Sequence, residues 1–308
     1  MFSKNAFLIF CILGAILLAG CNSRATITAP TAAPANATPT FTPVPPTDTP
    51  TPTATPEPLA ATVNGEGITL AEFETELRQL QEAQAALGKP IDEAPDKLAA
   101  QEQQVLDYLI ETLLLAQGAR EAGYTVDEAA LQAEITRLGG PDALAAWMAA
   151  RGYTEATFRA ALERQMAAAW QRDQIAAAVP NEAEQIHARQ ILTLDEAAAN
   201  RALSQVRTPG VNFAAQAYAY DPLTGGDLGW FPRGYLTQPV VEEAVFALQP
   251  GEISEIIQSD IGYHILYVVG REPARPISPD ARNVVQQKAI QNWLETRRMG
   301  SQVEILVP

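Results

Sequence analysis

The sequence predicts an α+β fold, in which a largely helical domain is interrupted by a second unit of mixed strands and helices. Apolar residues recur at helical spacing along residues 60–180. Residues 184–273 instead combine segments rich in β-branched and aromatic residues with short helical segments. Another helix is predicted over residues 278–298, and it can pack back on the first block. The mixed unit is therefore expected to be an insertion in the helical domain.

The N-terminus has the pattern of an export signal. Residues 6–18 form an apolar run of 13 residues, which is too short to span a bilayer comfortably. The run ends in small residues before Cys21, and this junction resembles the lipobox of bacterial lipoproteins. An ordinary signal peptide with a chance cysteine is the alternative. We expect residues 1–20 to be a signal peptide and Cys21 to be lipidated, because Cys11 lies in the removed segment and leaves Cys21 without a disulfide partner.

Residues 21–59 are expected to be the lipidated cysteine and a tether. Residues 25–58 contain ten prolines and eleven threonines and almost no apolar side chains to bury. Proline fixes φ and removes backbone donors, which favours a semi-rigid extended chain. At about 3.1 Å per residue, such a tether holds the folded part on the order of 100 Å from its anchor.

The domain predicted over residues 60–180 begins with a hairpin and continues as helices. Strand-like residues flank Asn64-Gly65, the dipeptide most typical of a two-residue turn. Thr69 is predicted to cap the helix that follows, with Glu72 at the capping-box position. Farther along, Thr125 and Glu128 suggest a second capping box. The apolar stripes between these caps predict helices that pack on one another.

Composition excludes several classes of function. The formal net charge is −15, whereas nucleic-acid binding requires a concentrated basic face. The chain has two histidines and two cysteines, which cannot assemble a typical zinc site, and it has no Gly-rich phosphate loop. We therefore expect no metal, no cofactor and no nucleic-acid partner.

Residues 220–265 resemble the parvulin family of peptidyl-prolyl isomerases. The resemblance rests on blocks in the family's order and spacing: Tyr220-Asp221-Pro222, Gly225-Gly226-Asp227-Leu228-Gly229-Trp230-Phe231, Arg233-Gly234, Glu243-Ala244-Val245-Phe246-Ala247-Leu248, Pro250-Gly251-Glu252-Ile253-Ser254 and Gly262-Tyr263-His264-Ile265. The helical block that opens on Val63-Asn64-Gly65 resembles, less specifically, the chaperone region of SurA/PrsA-type foldases.

These resemblances imply a fold and a set of site residues. The inserted unit, residues 184–273, would be a parvulin domain with a small antiparallel sheet flanked by helices, and residues 276–308 would pack back on the chaperone-like helical domain. By match to the family motif, Leu228, Leu236 and Val240 would line a pocket for the proline ring. Asp221, His264 and the nearby hydroxyl of Ser259 would lie beside the rotating peptide bond.

One position departs from the family pattern. The first strand of the family carries a histidine before Ile-Leu, and here Gln190 occupies that position. His187 lies three residues earlier, so strand alternation directs it to the opposite face. A glutamine amide can still support the His264 ring by hydrogen bonding, although it cannot titrate. The resemblance therefore implies either an isomerase or a chaperone with the parvulin fold whose isomerase site has decayed.

The same features imply where the protein acts and on what. We expect an extracytoplasmic foldase that lipid on Cys21 holds at a membrane, either inner or outer. Its partners would be unfolded or extended, proline-containing exported polypeptides. A substrate-binding lipoprotein of a transporter would share the anchor but should lack the parvulin blocks.

Overall fold

A computed structural model describes residues 57–89 and 94–307. The predicted signal peptide, Cys21 and most of the predicted tether lie outside the described residues. The elements are, in chain order, β1 (Leu59–Val63), β2 (Glu66–Thr69), α1 (Leu70–Ala86), α2 (Pro95–Glu121), α3 (Glu128–Arg137), α4 (Gly140–Arg151), α5 (Glu155–Ala177), β3 (Glu182–Thr193), α6 (Glu196–Val206), α7 (Phe213–Ala217), β4 (Asp227–Pro232), α8 (Pro239–Ala247), β5 (Ile257–Ser259), β6 (Gly262–Pro276), α9 (Pro279–Met299) and β7 (Val303–Ile305).

The chain divides into two compact units. The helical unit comprises the described residues up to Ile110, together with Val126–Leu162 and the residues from Val303 onward. The sheet unit comprises Glu111–Thr125 and Glu163–Gln302. Helices α2 and α5 each run through both units. The predicted α+β class, with a helical N-terminal domain and a small antiparallel sheet, is confirmed, and the predicted boundaries at residues 60–180, 184–273 and 276–308 stay predictions.

The helical unit begins with the predicted hairpin. Asn64 and Gly65 both have positive φ, 54° and 82°, as a tight turn between twisted antiparallel strands requires. β1 pairs with β2 on one side and with β7 on the other, so the sheet order is β2-β1-β7. Thr69 caps α1, with its hydroxyl oxygen accepting from the Glu72 backbone N–H at 3.2 Å, as predicted.

The second predicted capping box is wrong. The cap of α3 is Asp127, whose carboxylate accepts from the Ala130 backbone N–H at 2.7 Å. Thr125 lies two residues before the cap and does not perform this role. Both residue types are good helix caps, and the register in which the chain enters α3 selects between them.

The sheet unit is built on one long antiparallel pair. β3 pairs with β6 from Glu182–Pro276 to Thr193–Tyr263, with β4 on the other edge of β3 and β5 on the other edge of β6. The sheet order is β4-β3-β6-β5. Apolar side chains are buried in two clusters. The first contains Ile186, Ala188, Phe231, Val241, Val245, Phe246, Leu266 and Val268. The second contains Ile191, Ala202, Val206, Phe213, Ala217 and Ile265.

Helix α9 returns to earlier helices of the sheet unit. Its Trp293 ring lies against Gly118 of α2, where an added Cβ would come within 2.7 Å of the ring. Gln286 donates from its side chain to the carbonyl of Ala176 at 3.0 Å. In residues 57–89 and 94–307, helices that combine the length and the apolar character needed to cross a bilayer are absent.

Candidate active site

His264 lies on β6 and is 2% exposed. Its Nε2 is 2.7 Å from Ser259 Oγ, and its Nδ1 is 3.2 Å from Gln190 Oε1. Because an amide oxygen only accepts, Nδ1 carries the proton and Nε2 accepts from the Ser259 hydroxyl. The Ile261 backbone N–H donates to the same Ser259 oxygen at 3.2 Å. Both ring nitrogens are therefore satisfied when the imidazole is neutral.

Burial lowers the pKa of His264 below its ordinary value of 6.5, because the charged imidazolium loses hydration. The hydrogen bonds from Ser259 and to Gln190 match the neutral tautomer. The ring is consequently neutral around pH 7 and acts there as a fixed donor and acceptor rather than as a cation.

Gln190 connects this ring to a glycine loop. Its side chain accepts from His264, while its backbone N–H donates to the carbonyl of Gly226 at 2.8 Å. Gly226 has φ of +66°, and an added Cβ would lie 1.9 Å from the Gln190 carbonyl oxygen. Only glycine can occupy this position without moving the backbone.

Asp221 begins the same loop and binds it internally. Its carboxylate accepts from the backbone N–H groups of Leu223, Thr224 and Gly226 at 3.0, 3.2 and 3.3 Å, and from the Thr224 hydroxyl. The hydroxyl bond of Thr224, followed by these backbone bonds, holds the pKa of Asp221 below its ordinary value. Asp221 is therefore an anion that orders its own loop.

These contacts join four predicted site residues in one hydrogen-bonded series. Asp221 accepts from Gly226, whose carbonyl accepts from Gln190; Gln190 accepts from His264, and His264 accepts from Ser259. The series connects the loop before β4 with β3, β6 and β5. Residues 190, 221 and 264 are far apart in sequence, and the antiparallel pairing of β3 with β4 and β6 brings them together, while the β5–β6 hairpin adds residue 259.

The predicted pocket residues do not share one environment. Leu228 and Leu236 pack against the first apolar cluster. Val240 is 49% exposed, whereas its neighbour Val241 is 3% exposed and belongs to that cluster. Sequence reasoning missed Val241, although its i, i+4 spacing from buried Val245 on α8 is the pattern of a core-facing helical position.

Glu242 was also missed by sequence reasoning. Its two carboxylate oxygens accept from the backbone N–H groups of Gly234 and Leu236 at 2.8 and 3.0 Å. The carboxylate thereby fixes the turn that presents Leu236. A lone glutamate on a helix gives no sequence signal of such a role, because its partners are backbone groups.

Two predictions remain, the lipidation of Cys21 and the absence of a metal site. Cys21 lies outside the described residues. Within the part of the chain that the structure describes, groups of three or more His, Cys, Asp and Glu suited to a metal ion do not occur.

Comparison with known proteins gives two family matches along the chain. Residues 46–172 match the SurA-like N-terminal domain, and residues 182–270 match the PPIC-type PPIASE domain. Foldase protein PrsA of Caldanaerobacter subterraneus subsp. tengcongensis is 30% identical over 239 residues, which cover 68% of this chain and 72% of that protein.

Other relatives match shorter segments. Chaperone SurA of Dechloromonas aromatica is 36% identical over 146 residues, covering 41% of this chain and 33% of that protein. Foldase protein PrsA of Geobacillus sp. is 32% identical over 127 residues, covering 40% of this chain and 45% of that protein. The chain thus spans between a third and a half of the length of these two relatives.

Among solved structures, the crystal structure of peptidylprolyl isomerase PrsA from Bacillus anthracis is similar at 22% identity with a TM-score of 0.42. The similarity covers 63% of this chain and 96% of that chain.

Proposed function

The chain belongs to the family of PrsA foldases, and on that premise we propose that it catalyses cis–trans isomerisation of Xaa-Pro bonds in exported proteins. In this proposal, lipid on Cys21 anchors the protein to a membrane outside the cytoplasm, and the residues before Ala60 act as the tether. The helical unit binds unfolded or extended, proline-containing chains, and the sheet unit catalyses isomerisation of their Xaa-Pro bonds.

The observation that carries the proposal is the hydrogen-bonded series from Asp221 to Ser259. It fixes a loop, a strand and a buried imidazole relative to one another before any substrate arrives. Rotation about an Xaa-Pro bond breaks no covalent bond and has a barrier of about 20 kcal/mol, so preorganisation is what the protein must supply.

The chemistry of the site suits the twisted amide. Rotation removes the amide resonance and concentrates electron density on the proline nitrogen, so donors near the bond and a dry wall around the ring favour the twisted form. Leu228 and Leu236 supply apolar surface for the ring. His264, neutral near pH 7, and Ser259 supply fixed dipoles without bringing a charge that water would have to solvate.

Gln190 is compatible with this mechanism. No proton is transferred during rotation, so the residue beside His264 need only hold the ring in place. The amide oxygen of Gln190 accepts from Nδ1 and thus selects one tautomer. In our proposal Gln190 and His264 orient the site, Asp221 orders the loop, and Leu228 and Leu236 grip the proline. Val240 keeps its predicted pocket role, while its neighbour Val241 belongs to the buried apolar cluster.

A second candidate function is a chaperone without isomerase activity. Two observations favour it: the Asp221 carboxylate is occupied by its own loop, and Val240 is half exposed. Such a protein would bind unfolded exported chains without accelerating proline isomerisation.

The decisive experiment measures cis–trans exchange by NMR on an unstructured Xaa-Pro peptide with catalytic amounts of the full chain. We expect acceleration by the wild type and a loss on the order of tenfold in His264→Ala and Asp221→Ala. Glu255→Ala is the matched control, because Glu255 is exposed and pairs with Arg207 away from the series. No acceleration by the folded wild type would overturn the isomerase proposal.

The alternative has its own measurement. Suppression of aggregation is followed on an unfolded protein that lacks proline, so that isomerisation cannot contribute. Suppression by a wild type that does not accelerate exchange would establish the chaperone function in its place.

A further inference from the structure

The face of β3 opposite Gln190 carries a cluster of polar side chains that the proposed isomerase chemistry does not use. His187 Nε2 is 2.7 Å from Asp227 Oδ1, and Arg189 Nη2 donates to Asp227 Oδ2 at 2.6 Å. Arg189 Nη1 donates to the carbonyl of Gly225 at 2.9 Å. We call His187, Arg189 and Asp227 the Asp227 clamp.

The clamp fastens the loop from Asp221 to Leu228, whose last two residues are also the first two residues of β4. Arg189 bonds the carbonyl of Gly225, Gln190 bonds the carbonyl of Gly226 through its backbone, and both clamp side chains bond Asp227. Three consecutive loop residues are thus attached to three nearly consecutive residues of β3. Asp227 also accepts from the Gly229 backbone N–H at 2.9 Å, and this bond fixes the start of β4.

This loop needs external restraint because of its composition. Gly225, Gly226 and Gly229 have φ of +61°, +66° and +67°, and glycine loses more conformational freedom on folding than any other residue. A segment with three such residues would sample many conformations if only its ends were held. The clamp adds side-chain bonds from β3 to Gly225 and Asp227, beside the backbone bonds that the segment makes within itself and with Gln190.

The groups around the clamp stabilise the carboxylate of Asp227. Partial burial raises the pKa of Asp227, but the bonds from the Gly229 N–H and from His187, together with the charge of Arg189, outweigh it and hold that pKa below its ordinary value. The His187 ring also lies 5.6 Å from the ring of Trp230. Arg275 lies over the same indole at 4.4 Å and is paired with Glu272 at 2.8 Å.

We propose that His187 and Arg189 are positioning residues of the isomerase site, which act through Asp227 to hold the loop between Asp221 and Leu228 in its catalytic conformation. The inference rests on the proposed isomerase function. His187 and Arg189 lie on the far face of β3 and do not touch the peptide substrate. Their effect reaches the substrate through the loop, because the loop begins at the Asp221 carboxylate and ends at Leu228, which is proposed to grip the proline ring.

The test combines two readouts on the full chain. Cis–trans exchange on an Xaa-Pro peptide gives kcat/KM, and amide hydrogen exchange at Gly226 and Gly229 gives loop order, since both N–H groups are bonded in the closed loop. In His187→Ala we expect kcat/KM to fall on the order of tenfold and both amides to exchange on the order of tenfold faster.

A conservative variant separates positioning from general stability. In His187→Gln the amide nitrogen can replace Nε2 as donor to Asp227, so we expect both readouts to return to within about threefold of the wild type. Arg189→Lys keeps the charge but cannot bond Asp227 and Gly225 together, and it should give an intermediate loss. Glu255→Ala is the control that removes an exposed ion-pair partner in the same unit.

The outcomes test the clamp proposal and the proposed isomerase function independently of each other. If His187→Ala and Arg189→Lys behave like Glu255→Ala in both readouts, the clamp proposal is overturned. If the Leu266 amide, bonded to Ser254 in the core, loses protection equally in these variants, the effect is global unfolding and the proposal also fails. A wild type without isomerase activity would refute the proposed function, while the hydrogen-exchange readout would still decide whether the clamp orders the loop.

Discussion

In the helical unit and in the sheet unit alike, a titratable side chain in a hydrogen-bonded network loses hydration, but the effect on its pKa is opposite in the two units. In the helical unit, Glu76 accepts from the Tyr153 hydroxyl at 3.2 Å and from Gln79 at 3.3 Å. Burial, helped by the charge of Glu72, raises the pKa of Glu76 to about 7 despite these bonds. In the sheet unit, burial lowers the pKa of His264.

One cause, loss of hydration, thus gives the two units opposite responses to pH. Glu76 binds its proton more tightly in the folded state, so its contribution is complete below pH 4.5 and is lost as pH rises through about 7. His264 binds its proton less tightly when folded, so its contribution is complete above pH 6.5 and is lost as pH falls below that value. Around neutral pH the His264 ring stays uncharged while Glu76 of the helical unit titrates.

The largest effect is expected from a substitution at Gly226, where the hydrogen-bonded series of the sheet unit leaves no room for a side chain. In Gly226→Ala the new Cβ would lie 1.9 Å from the Gln190 carbonyl oxygen, so the loop must move and lose the 2.8 Å Gln190–Gly226 bond. We expect destabilisation of more than about 3 kcal/mol in urea unfolding. Gly251→Ala is the control, because Gly251 also has positive φ but open space around it, and should cost about 1 kcal/mol. Equal losses in the two variants would show that the contact has no role.

The next effect tests the pH response of the helical unit. Glu76→Gln keeps the shape but removes the ionisation, so the variant should exceed the wild type in stability at pH 8 by at most about 3 kcal/mol and match it near pH 4. Urea unfolding at both pH values, with hydrogen exchange assigning the change to the helical unit, measures this. Glu74→Gln, an exposed position on the same helix, is the control. A pH-independent difference would contradict the role of Glu76.

A smaller effect is expected at the centre of the site. Gln190→Leu removes the acceptor of His264 Nδ1 and leaves a buried donor unsatisfied, which should cost about 1–3 kcal/mol. The same substitution at exposed Gln258 on β5 should change stability by less than about 0.5 kcal/mol. Chemical denaturation at pH 7.5, where His264 is neutral, compares the two. A neutral effect of Gln190→Leu would mean that the ring does not depend on this residue.

The smallest effect concerns a local signal in the helical unit. Asp127→Ala should lower stability by about 1 kcal/mol through loss of the α3 cap, whereas Thr125→Ala should have almost no effect. Thermal unfolding of both variants measures the difference. The reverse order would restore the capping box that the sequence suggested at Thr125.

Local sequence signals predicted the structure well where the interacting residues are close in sequence. The turn at Asn64-Gly65 and the cap at Thr69 were found because each depends on residues a few positions apart. The cap at Asp127 and the buried Val241 were missed, since two neighbouring residues were both chemically suitable and only packing chooses between them. Glu242 was missed because its partners are backbone N–H groups, which a sequence pattern does not reveal.

The sequence by itself determined the α+β class and the family blocks around Asp221 and His264, because periodicity, turn chemistry and motif spacing are local properties. Only the tertiary structure decided that Gln190 lies at the centre of the hydrogen-bonded series, with its backbone bonded to Gly226 and its side chain to His264. It also decided that His187 bonds Asp227 on the other face. These contacts join residues about 36 to 74 positions apart, and the pairing of β3 with β4 and β6 sets them.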